Sequence, residues 1–322
     1  MKKYLLLLVL TIGFQKNILA QQEPYFSTYY INPSVINTSL SALNDNNNVV
    51  FIYRNQWSNY QPTSAATSTN FFGSSDSPNT GILSLNLKSR DKIYSFGVNL
   101  ISDHLGPQEV KSFSPYFGIK KKINNSFISI GVSPVFINST IHFDNLIFVD
   151  SSDPFNVGGK EKSTKADVGV GVSYFNNKLL LSIGVKNIVE SSFDYENLYN
   201  VNKAFRNFNF LGKYSIEIDR DLRLEPFILF RTDLSSFTFD VSTLATYKEN
   251  LIFGASYRYD EAVVGFLGYH FLEKKKMFIG YSLDYVLHNK NAKSGTSHEF
   301  VLRYDLPTPQ LKKPIRTPRF IY

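Results

Sequence analysis

The 322-residue chain contains no cysteine, one tryptophan and two methionines. Without thiols it has no disulfide framework, no thiolate metal site and no cysteine nucleophile, and lipoprotein processing is excluded. Beyond Phe14 no run of about eighteen apolar residues occurs, so no helix of the mature chain is able to cross a membrane. The GxSxG elbow and the HExxH metal motif are missing. Long stretches with helical period are missing too. The formal charge is +7, but Lys2, Lys3, Lys16, Lys312, Lys313, Arg316 and Arg319 account for all of it, because neither end of the chain carries an acid. The body is neutral, which excludes the clustered basic footprint of a nucleic-acid binder.

What is present begins with an export signal. Met1-Lys2-Lys3 is a positive n-region and Tyr4 to Phe14 an apolar h-region, too short to span a bilayer. Ala20 before Gln21-Gln22 marks the expected cleavage site, with the large Ile18 at the −3 position. The reading divides the chain into a signal peptide (1–20), an amino-terminal segment at the periplasmic side or in a plug (21–47), a barrel (48–304) and a tail (305–322).

The body alternates apolar and polar residues with period two, and aromatics are heavy, with 28 Phe and 20 Tyr. Strands are expected at 48–57, 80–88, 93–102, 111–121, 126–137, 166–175 and 178–187. A further seven follow at 205–218, 222–231, 236–247, 251–259, 262–271, 276–286 and 296–304. The hairpin 167–186 is typical. Asn176-Asn177 suits a two-residue turn that sets Tyr174 opposite Leu179, Val172 opposite Leu181 and Val170 opposite Ile183. One face is then apolar, and the other is small and polar, ending in the pair Asp167 and Lys186.

Connections after even-numbered strands are tight, whereas those at 58–79, 138–165, 188–204 and 287–295 are long. Alternating short turns and long loops around an even strand count predict an all-β fold: a transmembrane antiparallel up-and-down β-barrel of about 14 strands. Short turns would face the periplasm and long loops the exterior. Tyr174, Tyr247, Tyr257, Tyr259, Tyr285 and Tyr304 fall at strand ends, as interfacial girdles require. A soluble sandwich or propeller also alternates, but loop asymmetry has no reason to exist there and no blade-length repeat occurs.

Candidate chemistry is sparse. Asp103-His104, His142 with Asp144, and Asp284 with His288 are carboxylate–imidazole combinations near the outer rim that general-base work would need. Exposed loops also carry such residues without function. Asp144, Asp150 and Asp153 offer oxygen ligands in one loop, at a spacing that matches no EF-hand. No catalytic, cofactor or metal site is assigned. Pro307, Pro309, Pro314 and Pro318 break the tail, whose Lys312, Lys313, Arg316 and Arg319 read either as a disordered end or as a partner-docking peptide.

Between the signal and the first strand lie Pro24, Phe26-Ser27, Tyr29, Asn32-Pro33 and Asn37, and the strand ends Arg54-Asn55-Gln56-Trp57. On residues alone this is an extended aromatic segment that would plug the barrel mouth or pack on a partner. Its pattern resembles the PorP/SprF family of outer-membrane proteins of the Bacteroidetes type IX secretion and gliding machinery. Asn37-Thr38-Ser39-Leu40 departs from that family's usual continuation. The resemblance implies a non-enzymatic barrel in the outer-membrane lipid, without cofactor, that assists export or surface anchoring of cargo such as gliding adhesins. Its implied partners are cargo bearing a C-terminal sorting domain and other components of the secretion machine. The outer loops would hold the cargo, while 21–47 and the tail would contact machinery from the periplasm. The alternative is a passive or substrate-specific channel.

Overall fold

The computed structural model describes residues 24–43, 45–58, 77–145, 158–195, 198–272, 276–288 and 295–307, with short extended pairs at 69–70 and 73–74. The expected signal peptide, Asp150, Asp153 and the four basic residues of the tail lie outside the described residues.

Fourteen strands form the wall. They are β1 (Asn48–Asn55), β2 (Asn79–Lys88), β3 (Tyr94–Leu105), β4 (Gln108–Ile123), β5 (Ser126–His142), β6 (Lys160–Phe175) and β7 (Leu179–Lys186). The circuit continues through β8 (Asn207–Tyr214), β9 (Leu222–Thr232), β10 (Phe237–Tyr247), β11 (Leu251–Arg258), β12 (Ala262–Phe271), β13 (Met277–Val286) and β14 (Thr296–Asp305). Each pairs antiparallel with the next, and β1 pairs with β14 from Asn48↔Asp305 to Asn55↔His298, so the ring is closed. A short extension, Ile216–Glu217, continues β8 along β9. In hydrocarbon no water satisfies backbone groups, and closure gives every strand two hydrogen-bonded neighbours.

Side chains are sorted opposite to a soluble fold. Phe51, Leu83, Ile130, Val172, Ile183 and Leu267 are exposed on the outside, whereas Ser84, Ser129, Ser173, Ser182 and Ser282 are buried inside. The six strand-end tyrosines point outward. Tyr174, Tyr247 and Tyr304 stand at the short-turn end, and Tyr257, Tyr259 and Tyr285 at the other. By the rule that short turns face the periplasm, β1 starts at the periplasmic end and finishes at the outer end.

Two expectations need correction. The hairpin β6–β7 pairs Val172 with Ile183 and Phe175 with Leu180, two residues away from the expected register. Asn176 accepts the N–H groups of Lys178 and Leu179 on its Oδ1 at 2.9 Å, which opens a wider turn than the two-residue one. A shift of two leaves every side chain on its face. Asp167 is not matched with Lys186 across this ladder; it accepts N–H bonds from Val168 (2.7 Å) and Val189 (3.0 Å). Second, β4, β5 and β6 run farther outward than their apolar alternation does. The connection expected between strands three and four shrinks to a turn at Gly106-Pro107, with Gly106 at φ +57°. These extensions carry polar residues such as Asn138, Thr140 and Lys162, because no hydrocarbon lies against them.

Val132 sits on the outward face near the middle of the apolar band. Val132→Arg is expected to lower folding stability in lipid vesicles by about 2–4 kcal/mol, as read by the fraction that migrates as the compact unboiled form. An unchanged fraction would contradict the assigned lipid face.

Candidate functional site

The lumen is occupied by the chain's own amino-terminal segment. Phe26 to Thr28 and Asn32 to Ala42 are buried among side chains from around the ring. Two short 3-10 turns, Pro33–Val35 and Thr38–Leu43, shape the segment. Pro33 suits the first, since its missing N–H is not needed there.

The segment runs from the outer end down to the periplasmic end. At the outer end Glu299 of β14 accepts the N–H groups of Ser27 (2.8 Å) and Thr28 (2.9 Å), and also the Thr28 hydroxyl. Ser27 Oγ donates to Asp284 of β13 (2.8 Å) and accepts from Arg54 of β1 (3.1 Å) and Arg258 of β11 (3.0 Å). Lower down, Tyr29 meets Ser242 (3.1 Å), and Asn32 donates to Ser84 (2.7 Å). Asn37 then donates to Ser182 (2.7 Å), while Ser41 meets Ser95 (2.7 Å). At the periplasmic mouth Lys88 and Lys120 donate to the carbonyls of Ser41 and Ala42, and Asp45 contacts Lys92 and Lys120, each at 3.2 Å. Partial burial works against the Asp45 charge, but its bonds to Lys120 and then Lys92 outweigh this and hold its pKa below the usual carboxylate range.

Small wall residues make room for this segment. A Cβ added at Gly171 would come 1.7 Å from Asn37 Oδ1, and one at Gly131 would come 2.5 Å from the Ser39 nitrogen. The Gly/Ser face of β5–β7 is therefore a seat fitted to Asn37–Ser39.

The outer anchor is a buried ionic cluster. Arg54 contacts Asp284 at 2.8 Å and Glu299 at 3.1 Å. Arg258 contacts Asp240 at 3.1 Å and Asp284 at 3.4 Å, and Arg231 joins Asp240 at 3.1 Å. Three guanidinium groups thus share three carboxylates, with Glu261 at 3.6 Å from Arg258. The Tyr25 ring lies 4.0 Å from the Arg231 guanidinium and 5.6 Å from that of Arg258. Above this floor the loop between β7 and β8 folds inward. Its Phe193, Tyr195 and Ala204 pack with Phe143, and Tyr195 donates to Ser139 at 2.8 Å.

The residues singled out in the sequence converge here. Phe26, Ser27, Tyr29, Asn32, Pro33 and Asn37 lie in the lumen segment, with Pro24 half-buried ahead of them. Arg54 and Asn55 are buried at the outer end of β1. Gln56 N donates to Pro78 O (2.8 Å) and Trp57 N to Ser297 Oγ (3.0 Å), which fastens the end of β1 to its neighbours. The partners that sequence reasoning missed are Arg231, Asp240, Arg258 and Glu299; a signal existed in charged residues at lumen-facing positions of strands. The segment does not present its aromatics to a periplasmic partner, because Phe26 and Tyr29 are enclosed by the wall.

The proposed carboxylate–imidazole pairs do not form as expected. Asp284 belongs to the ionic cluster, and His288 approaches Asp260 at 3.7 Å instead. His104 and His142 both approach Glu109, at 3.4 and 3.9 Å. Asp103 binds Thr80, and Asp144 accepts the N–H of Gly159 at 2.7 Å. Among the described residues no group of three His, Asp or Glu is placed to hold a metal ion.

A closed ring with a greasy exterior, a polar interior and tyrosine girdles defines an outer-membrane β-barrel, here with its lumen filled from within. The sequence model for the type IX secretion system membrane protein PorP/SprF matches residues 18–304, and the chain belongs to that family. Comparison with curated proteins returned no match. Among solved structures the chain is similar to the Ralstonia pickettii toluene transporter TbuX, at 9% identity and TM-score 0.54, covering 85% of this chain and 93% of that one. It is also similar to a TodX deletion mutant described as a monoaromatic hydrocarbon channel, at 10% identity and TM-score 0.50, covering 85% and 94%. These likenesses concern the fold.

Arg54→Ala removes the buried cation paired with Glu299 and leaves Asp284 with Arg258 alone, and it is expected to cost about 3–5 kcal/mol, measured by denaturant unfolding in detergent. Lys203→Ala, at the exposed pair with Glu190, is expected to leave the unfolding midpoint essentially unchanged in the same assay, because solvent screens that pair. The position of the segment is tested directly by Ser39→Cys with Ser173→Cys, whose native hydroxyls are 2.5 Å apart. Mild oxidation is expected to cross-link them in the folded barrel of this cysteine-free chain; failure would displace the segment from β6.

Proposed function

We propose that the protein is a plugged, non-catalytic barrel of the type IX secretion machinery that supports the export or surface anchoring of particular cargo proteins. Family membership supports the setting. The single observation that carries the rest is the filled lumen, which leaves the outer loops and the two rims as the surfaces available for work. Cargo with a C-terminal sorting domain would be held at the outer loops around 58–79, 143–159 and 187–206. Other secretion components would be met at the periplasmic end, where β14 ends at Asp305, with Lys312, Lys313, Arg316 and Arg319 of the tail as the proposed contacts. The amino-terminal segment has a holding role in this reading, and Pro24, Phe26, Ser27, Tyr29, Asn32, Pro33, Asn37 and the Arg54–Trp57 block serve to lock it. A signal peptide over 1–20 would deliver the chain for insertion.

The second reading is a passive or substrate-specific channel. It is favoured by the polar wall, where water is able to replace the hydroxyl–hydroxyl contacts of Ser39 and Ser41. The names of the similar transporters add only a likeness of fold.

Deletion of the gene is expected to remove the cargo from the cell surface while its synthesis continues, scored by surface labelling. Cargo display at the wild-type level would refute the role. In planar bilayers the wild-type protein is expected to show no steady conductance; a steady open level would favour the channel.

A further inference from the structure

A hollow of about 530 Å³ opens in the lipid-facing wall across β1–β6. Its floor is small because Gly81 of β2 stands opposite Ser102 of β3 in one outward row. A Cβ at Gly81 would meet nothing within 4 Å. The next outward row toward the periplasm is bulky and apolar, with Leu83 opposite Leu100, Leu100 opposite Phe113, and Phe113 opposite Phe136. The rings of Phe113 and Phe136 stack at 6.1 Å. In the row of Gly81 itself, Lys111 follows Ser102 and Asn138 follows Lys111.

Hydrocarbon fills an apolar hollow on a surface bathed by lipid, since a void there forfeits dispersion contacts. The polar side of the hollow selects the head group. Lys111 is 60% exposed, and Lys160 and Lys162 stand exposed on the same outward face of β6. Glu109 contacts Lys111 and is flanked by His104 and His142, so the cations outnumber the acid among these residues. This mixture fits a phosphate that replaces water around Lys111 while an acyl chain lies below it. The strands reach their outer ends just beyond these residues, which places the hollow in the outer leaflet.

We propose that the β1–β6 wall binds a phosphorylated lipid of the outer leaflet, with an acyl chain in the Gly81–Ser102 hollow and its phosphate at Lys111. The proposal rests on the barrel's orientation and is independent of the cargo reading. The full-length protein in detergent would be incubated with bis-phosphorylated lipid A or with its phosphatase-treated form, and bound lipid counted by native mass spectrometry. Wild-type protein is expected to retain the phosphorylated lipid about tenfold better than the dephosphorylated one. Gly81→Phe, which fills the hollow from outside, and the double variant Lys111→Glu with Lys162→Glu are each expected to lose that retention. Both should keep the compact unboiled migration, which separates loss of the site from loss of the barrel. Equal retention of the two lipids by the wild type, or undiminished retention by Gly81→Phe, would overturn the proposal and leave only general lipid contact.

Discussion

Everything in this structure follows from the absence of water around the outside of the wall. Backbone groups must find partners within the sheet, so the sheet closes, and outward side chains must be apolar, so the alternation runs Phe, Leu, Ile and Val outward. The polar half of each strand is then turned into an enclosed space. A ring of this size leaves that space wide, and serine and asparagine hydroxyls and amides lining it need partners. The amino-terminal segment supplies them with its own Asn32, Asn37, Ser39 and Ser41. The filled lumen is therefore a solution to polar satisfaction as well as to volume.

Much of the wall was legible in the sequence because its two faces differ so sharply. All fourteen strands fall where the alternation predicts them, within a few residues at most ends. The reading failed where the alternation itself stops. Beyond Ile137 and before Ala166 the strands carry on into water, and both faces become polar, so period two no longer distinguishes strand from loop. The register of β6–β7 was misjudged for a different reason: Asn176 caps a wider turn with its side chain, which the Asn-Asn pair alone does not reveal.

The interior site was half legible. Pro24 to Asn37 and the Arg54–Trp57 block stood out as a pattern, but pattern alone did not say that the two pieces touch. Their meeting depends on Asp284 and Glu299, which are over two hundred residues away in the chain and adjacent only once the ring is closed. Of these two carboxylates, Asp284 alone looked like a possible catalytic partner, for His288. Burial beside Arg54 and Arg258 gives them a structural occupation instead, and the histidines are left to the outer surface.

Arg54 and Glu299 are direct partners across the β1–β14 ladder, and both also hold the segment, Arg54 through the Ser27 hydroxyl and Glu299 through the Ser27 and Thr28 amides. The first and last strands of the barrel are thus joined by the same groups that grip the material inside. Arg54 and Glu299 neutralise each other directly where the seam closes, and the segment adds neutral hydrogen bonds to both, so the plug braces the closed seam. A chain without the segment would keep the Arg54–Glu299 ion pair but would leave these buried charges short of the hydrogen bonds that Ser27 and Thr28 supply at the seam.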